Sequence, residues 1–196
     1  MSGVPAPGAT GEQISIGVLA LQGDFEAHGQ VLRRLGATVC EVRMPADLEG
    51  LDGLVIPGGE STTMTLGIER EALAEPLRSF HASGKPIFGT CAGLIMLDRE
   101  HLGIIDIRAE RNAFGRQIDS FEEALTVTGI EGGAIHAVFI RAPQIARCGE
   151  GVTILARHGQ NVVLARQGSV MVASFHPELT SDSRIHSMFI GLLQEV

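Results

Sequence analysis

Four short apolar runs, at residues 14–21, 38–42, 54–56 and 86–88, alternate with stretches of helical periodicity, and this alternation limits the fold more than any other feature. Buried strands that alternate with helices build a parallel sheet covered on both faces. The first run leads through Gln22-Gly23-Asp24 into a helix on which Phe25, His28, Val31, Leu32 and Leu35 share a face, and Gly36 ends it. A long helix is predicted over 63–83, closed by Gly84-Lys85-Pro86. Beyond Leu97 the texture changes to short strand-like runs at 104–108, 123–128, 137–141, 153–156, 162–166 and 169–174, which predicts an antiparallel addition with a hairpin turn at His158-Gly159-Gln160-Asn161. Ile185, Met188, Phe189, Leu192 and Leu193 form the stripe of a final amphipathic helix over 181–196, with Thr180 or Ser181 as its cap. The expectation is an α/β fold, a three-layer sandwich with a mixed, mainly parallel central sheet. One domain over 14–196 follows a Pro/Gly-rich tail at 1–13.

Composition narrows the function. A chain of 196 residues, 44% of them hydrophobic, can bury a sizeable core. The net charge of −8, without a Lys/Arg cluster, argues against a nucleic-acid or anionic membrane surface. Cys40, Cys91 and Cys148 are an odd set without C-x-x-C spacing, so neither a disulfide framework nor a thiolate zinc site is expected, and a reducing cytoplasm fits best. The apolar stretch near the start is too short to span a bilayer and has no basic segment before it.

The run at 86–88 feeds into Gly89-Thr90-Cys91-Ala92-Gly93, a cysteine between glycines where a strand turns into a helix. Such a bend holds a nucleophile exposed and clear of neighbouring backbone, with the amino end of the next helix facing the sulfur. The plainer reading of a lone cysteine is a small buried hydrophobe. Pro57-Gly58-Gly59-Glu60-Ser61 follows another strand, and ligands of open α/β sheets bind at the carboxyl ends of strands, so both loops should line one crevice.

A thiol that attacks an amide needs a base, and the base needs an orienting group. His176-Pro177-Glu178 follows a third strand, and residues i and i+2 of an extended segment point the same way, so Glu178 can reach the His176 ring. A surface turn residue and a helix-start carboxylate are the plainer readings. His28, His81, His101, His136, His158 and His186 have no comparable setting and read as scattered solvent or core-edge histidines. No H-x-x-x-H spacing or carboxylate cluster suggests a metal. The Gly58-Gly59 amides and the Ala92 N–H could hold a tetrahedral oxyanion, although a simple glycine turn would look the same. Glu60 suits a substrate ammonium group or, alternatively, the first turn of a helix.

Together, G-T-C-A-G, P-G-G-E-S-T at 57–62 and H-P-E at 176–178 resemble the class I glutamine amidotransferases. The stretches L-A-L-Q-G-D at 19–24, R-N-A-F-G-R-Q at 111–117, D-S-F-E at 119–122, V-F-I-R-A-P at 138–143 and F-H-P-E-L-T at 175–180 further resemble the glutaminase subunits of pyridoxal 5'-phosphate synthases, over nearly all the chain from Ile16. The chain departs from that pattern at Ala27-His28, where most of the family carries Glu-His, and in the short connection between Leu97 and Arg111. The resemblance implies a Cys91–His176–Glu178 triad, and it implies contacts to L-glutamine from Gly59, Glu60, Ser61, Arg111, Ile140 and Arg141. It also implies ammonia transfer to a synthase subunit, with pyridoxal phosphate a product of the complex and no cofactor of this chain. A Cys-elbow protein of the deglycase or protease type would share G-x-C-x-G without needing H-P-E, and a non-catalytic subunit would keep the fold without the thiol chemistry.

Overall fold

The computed structural model describes residues 13–111 and 120–194. Five strands, β1 (Ser15–Leu19), β2 (Thr38–Val42), β3 (Gly53–Ile56), β4 (Ile87–Thr90) and β11 (Val170–Ala173), run parallel in the order β2-β1-β3-β4-β11. The sheet continues antiparallel through β10 (Asn161–Gln167), β8 (Gln144–Cys148) and β5 (Ile107–Glu110), and β9 (Thr153–His158) also pairs with β10. The predicted mixed sheet is therefore present, with nine strands. β9 and β10 meet through the His158–Asn161 pair, so the expected hairpin turn stands there, with Gly159 at φ +56°.

Alternating side chains feed two cores, one on each face of the sheet. Leu54, Ile56, Ile87, Val170 and Val172 pack against α2 (Ser61–Arg70), α3 (Ala74–Ala82) and α4 (Ala92–Leu97). On the other face Val55, Phe88, Met171 and Ala173 pack against α1 (Phe25–Arg34), α5 (Arg184–Leu192) and a separate two-stranded ribbon, β6 (Ser120–Leu125) with β7 (Ile135–Ile140). These are the three layers. None of the helices among the described residues is long and apolar enough to cross a membrane.

Three expectations change. The stretch predicted as one helix over 63–83 is two, α2 and α3, with Ala72 between them at φ +53°. Pro76 explains the break: deep in a helix it would lose an amide bond and strike the preceding turn, whereas in the first turn of α3 it is tolerated. Strand β8 had no counterpart in the apolar pattern, because Ile145 is its one fully buried side chain and its strand character comes from pairing with β5 and β10. The last helix is shorter than 181–196, spanning Arg184–Leu192, because residues 180–183 form a turn in which Asp182 receives the Arg184 amide. The tail at 1–12 and most of R-N-A-F-G-R-Q lie outside the described residues.

Candidate active site

The carboxyl ends of β1, β3, β4 and β11 gather the motifs at one edge of the sheet. Thr90 pairs with Ala173 in register, and the Cys91 amide donates to the Ala173 carbonyl at 2.8 Å, so Cys91 leaves β4 directly beside the end of β11. Cys91 has φ +48° and ψ −107°, a conformation rarely adopted by a side-chain-bearing residue. Two glycines make this elbow fit. A Cβ on Gly93 would lie 2.0 Å from the Ile56 carbonyl oxygen of β3, and one on Gly89 would lie 2.8 Å from the Gly93 backbone. They bring α4 hard against the sheet. Cys91 is only 7% exposed, so its side chain is more covered than the sequence pattern suggests.

His176 follows β11, and its amide donates to the Val138 carbonyl of β7 at 2.8 Å. Its Nδ1 lies 2.7 Å from Glu178 Oε1, and both side chains are buried. Burial alone would discharge the ring. Hydrogen bonds to Cys91 and Glu178 and the charge of both outweigh that penalty and lift the His176 pKa to about 10. Burial likewise opposes the charge of Glu178, but the neighbouring His28 and His176 rings turn the balance and hold its carboxyl below the usual range.

The loop after β3 lies against both groups. A Cβ on Gly58 would come within 2.5 Å of His176 Cε1 and 3.2 Å of Cys91 Cβ, so only glycine leaves the pair undisturbed. Gly59 sits at φ +141°, and the Gln22 side chain grips the backbone of the next residue twice, donating to the Glu60 carbonyl at 2.9 Å and accepting from its amide at 3.1 Å. Glu60 caps α2, accepting from the Thr62 and Thr63 amides at 3.1 and 2.7 Å, and these bonds with the Thr63 hydroxyl lower its pKa to about 2. Of the two roles open to Glu60 from sequence, the carboxylate here performs the helix-start one.

A cleft of about 310 Å³, sized for a small molecule, opens over Cys91. Gly59, Glu60, Ser61, Ala92, Arg111, Ile140, Arg141 and His176 line it with Cys91, so the sequence-derived set converges, while Gly58 and Glu178 stand behind the wall. Arg111 reaches Thr62 Oγ1 at 3.3 Å, and Arg141 is held at φ +42° at the exposed end of β7. Asp24 also lines the cleft and was not anticipated. Among the described residues, Asp24, His176 and Glu178 are the group whose donor atoms lie close enough to share a metal ion, within 4.8 Å of one another. His176 and Glu178 already spend facing atoms on each other, which suits a triad better than a metal.

The SNO glutamine amidotransferase family matches residues 18–195. The chain belongs to this family. It is 50% identical over 189 residues to a pyridoxal 5'-phosphate synthase subunit PdxT of Geobacillus kaustophilus, covering 93% of this chain and 96% of that one. It is also 50% identical over 194 residues to the protein of the same name from Deinococcus radiodurans, with 93% and 98% covered. Among solved structures, a glutamine amidotransferase crystal structure superposes with a TM-score of 0.87 at 48% identity, covering 91% of this chain and 98% of that one.

The histidines were only partly legible. His81, His101, His136 and His158 lie away from the cleft, as the sequence suggests. His28 and His186 do not fit that reading: both are fully buried, and His28 Nε2 stands 3.2 Å from Glu178 Oε2. One available signal was the place of His28 on the apolar face of α1, where an unpaired polar ring would be costly.

Proposed function

We propose that this chain hydrolyses L-glutamine to L-glutamate and ammonia and passes the ammonia to the synthase subunit of a pyridoxal 5'-phosphate synthase. The observation that carries the reading is the Cys91 elbow, strained at φ +48°, facing a His176 ring whose far nitrogen is bound to Glu178. The relatives, named as subunits of that synthase, point to its other subunit as the nitrogen acceptor.

The Cys91 sulfur attacks the side-chain carbonyl carbon of glutamine. The oxyanion is met by the Ala92 N–H and amides of Gly58-Gly59. Collapse of the adduct expels ammonia as His176 gives its proton to the leaving nitrogen, and a glutamyl thioester remains on Cys91. His176 then takes a proton from water, the hydroxide adds to the thioester, and the second collapse returns the thiolate and glutamate. Glu178 fixes the His176 tautomer throughout. The guanidinium of Arg111 or Arg141 is suited to fork onto the α-carboxylate, and Glu60, Ser61 and Ile140 shape the end of the cleft that takes the α-amino group.

Ammonia free in water is mostly protonated and a poor nucleophile, which favours direct transfer to a bound partner over release. A cytoplasmic setting agrees with three free cysteines. The loop supports dependence on that partner. Gly23, at φ +84°, leaves room for the Gly58 carbonyl, since a Cβ there would sit 1.8 Å from that oxygen, so this carbonyl points toward Gly23. A turn of the Gly58-Gly59 peptide on docking would re-aim its N–H at the oxyanion. Ammonia release from glutamine, measured with and without the synthase subunit, tests the proposal. Turnover should rise with the partner, and no release under either condition refutes it.

A further inference from the structure

Behind the candidate triad lies a second pair of histidines that the hydrolysis scheme does not use. His28 of α1 and His186 of α5 are both fully buried, and His28 Nδ1 lies 2.9 Å from His186 Nε2. On its other side His28 Nε2 is 3.1 Å from Thr90 Oγ1 and 3.2 Å from Glu178 Oε2. Glu178 therefore has one oxygen on His176 Nδ1, while the other is buried with no hydrogen bond of good geometry. An orphaned carboxylate oxygen in such a place is costly.

The hydrogen-bond pattern assigns the tautomers. His186 Nδ1 is buried without a partner, so the less costly state leaves it a bare lone pair and puts the proton on Nε2, which donates to His28 Nδ1. His28 must then carry its own proton on Nε2, the nitrogen between Thr90 and Glu178. Burial discharges both rings: it lowers the His28 pKa against the pull of Glu178, and it lowers His186 to about 3. What His28 offers Glu178 is thus an N–H dipole and no full charge.

We infer that His28, braced by His186, is a positioning residue for the Cys91–His176–Glu178 site: its Nε2–H, shared with Thr90 Oγ1, serves the free oxygen of Glu178 and keeps that carboxylate ionised and turned toward His176. The inference rests on the glutaminase reading for its activity readout only. Other titratable groups around Glu178 are His176 on its own turn and Asp24 before α1; Cys91 at the head of α4 acts on His176, and Arg34 on His186. Asp24 is exposed and has no N–H to offer from its side chain, and burial keeps His186 neutral, so neither replaces His28 as a donor to Glu178.

The test uses the full chain with its synthase partner. His28→Leu removes the donor, whereas His28→Gln can set an amide N–H near the Nε2 position. In His28→Leu, kcat should fall about 10- to 100-fold, the range typical when an outer-shell partner is removed. KM for glutamine should stay within about twofold of the wild type, because the cleft lining is untouched. The acidic limb of the kcat/KM profile should move to higher pH in His28→Leu, and His28→Gln should restore most of both effects. Wild-type kcat and pH profile in His28→Leu overturn the inference, as does equal impairment of the two variants with equally lowered thermal stability. Nitrogen-15 NMR of the wild-type histidines gives a reading that needs no variant to fold. His28 should be neutral with its proton on Nε2, and an Nδ1–H tautomer overturns the inference. If the wild-type protein released no ammonia from glutamine, the glutaminase reading would fail instead, while the tautomer and the pH profile of Cys91 alkylation would still report on His28.

Discussion

Replacing Gly93 with alanine should damage fold and site together, and the size of the effect follows from one contact. The added Cβ would stand 2.0 Å from the Ile56 carbonyl oxygen, whereas real Cβ atoms essentially never come closer than 3.0 Å. Neither atom belongs to a flexible side chain, so relief requires α4 and β3 to separate by about 1 Å. Overpacking of this kind costs about 1–3 kcal/mol. For a domain of this size each kcal/mol lowers Tm by about 2–4 °C, so a fall of about 2–12 °C is expected. The same shift moves the Ala92 amide and Cys91 relative to Gly58, which follows Ile56 by two residues. A misplacement of about 1 Å at reacting groups can cost about 100-fold in rate.

Gly191 provides the contrast. It lies within α5, and nothing stands within 4 Å of where its Cβ would be. Gly191→Ala should therefore stabilise by about 0.5–1 kcal/mol, through the helix preference alone, without changing turnover. Melting curves and ammonia release of both variants settle the matter. Wild-type stability and turnover in Gly93→Ala would refute the reasoning, because the contact leaves no third route of relief.

The remaining predictions concern the candidate triad. Cys91→Ala and His176→Ala should each abolish ammonia release, while Glu178→Gln should retain more, since an amide still accepts a hydrogen bond from His176; an intact rate in Cys91→Ala defeats the nucleophile assignment. His176 also predicts a pH dependence of stability. Its pKa rises from 6.5 in the unfolded chain to about 10 in the fold, so its contribution is fully present below about 6.5 and is lost as pH rises through about 10. Melting temperatures of the wild type, compared with those of His176→Gln between pH 6 and about 10, should converge toward the alkaline end. A constant difference across that window contradicts the assigned pKa.

How much of this was legible in the sequence depended on whether a residue's role is local. Strand β2 was read to the residue, and the elbow at Cys91 and the turn at 159–160 follow from glycines beside apolar runs. β8 and the break at Ala72 were not legible by pattern, because one depends on pairing and the other on a Pro76 that is tolerated only if a new helix starts just before it. The same division runs through the site. His176 and Glu178 are two residues apart, and an extended segment brings them together. Gln22 reaches Glu60 across 38 positions, and its double grip on that residue's backbone could not be inferred from a turn sequence.

His28 and His186 show why the hidden part of a site is the hardest to read. They lie 158 positions apart on two helices, and each has apolar neighbours in its own sequence, so each reads locally as an ordinary histidine at the edge of a core. The sheet order supplies the missing relation. β4 and β11 are adjacent, which puts Thr90 beside Ala173, and the layer over that face includes α1 and α5. Phe88, two residues before Thr90, packs its ring against both His28 and His186 at centroid distances of 6.4 and 6.1 Å. The parallel sheet that delivers the nucleophile on its edge thus holds the histidine pair on its face, and the carboxylate between them meets both. A buried carboxylate flanked by two imidazoles can keep its charge, because His176 Nδ1 meets one oxygen at 2.7 Å and His28 Nε2 stands 3.2 Å from the other.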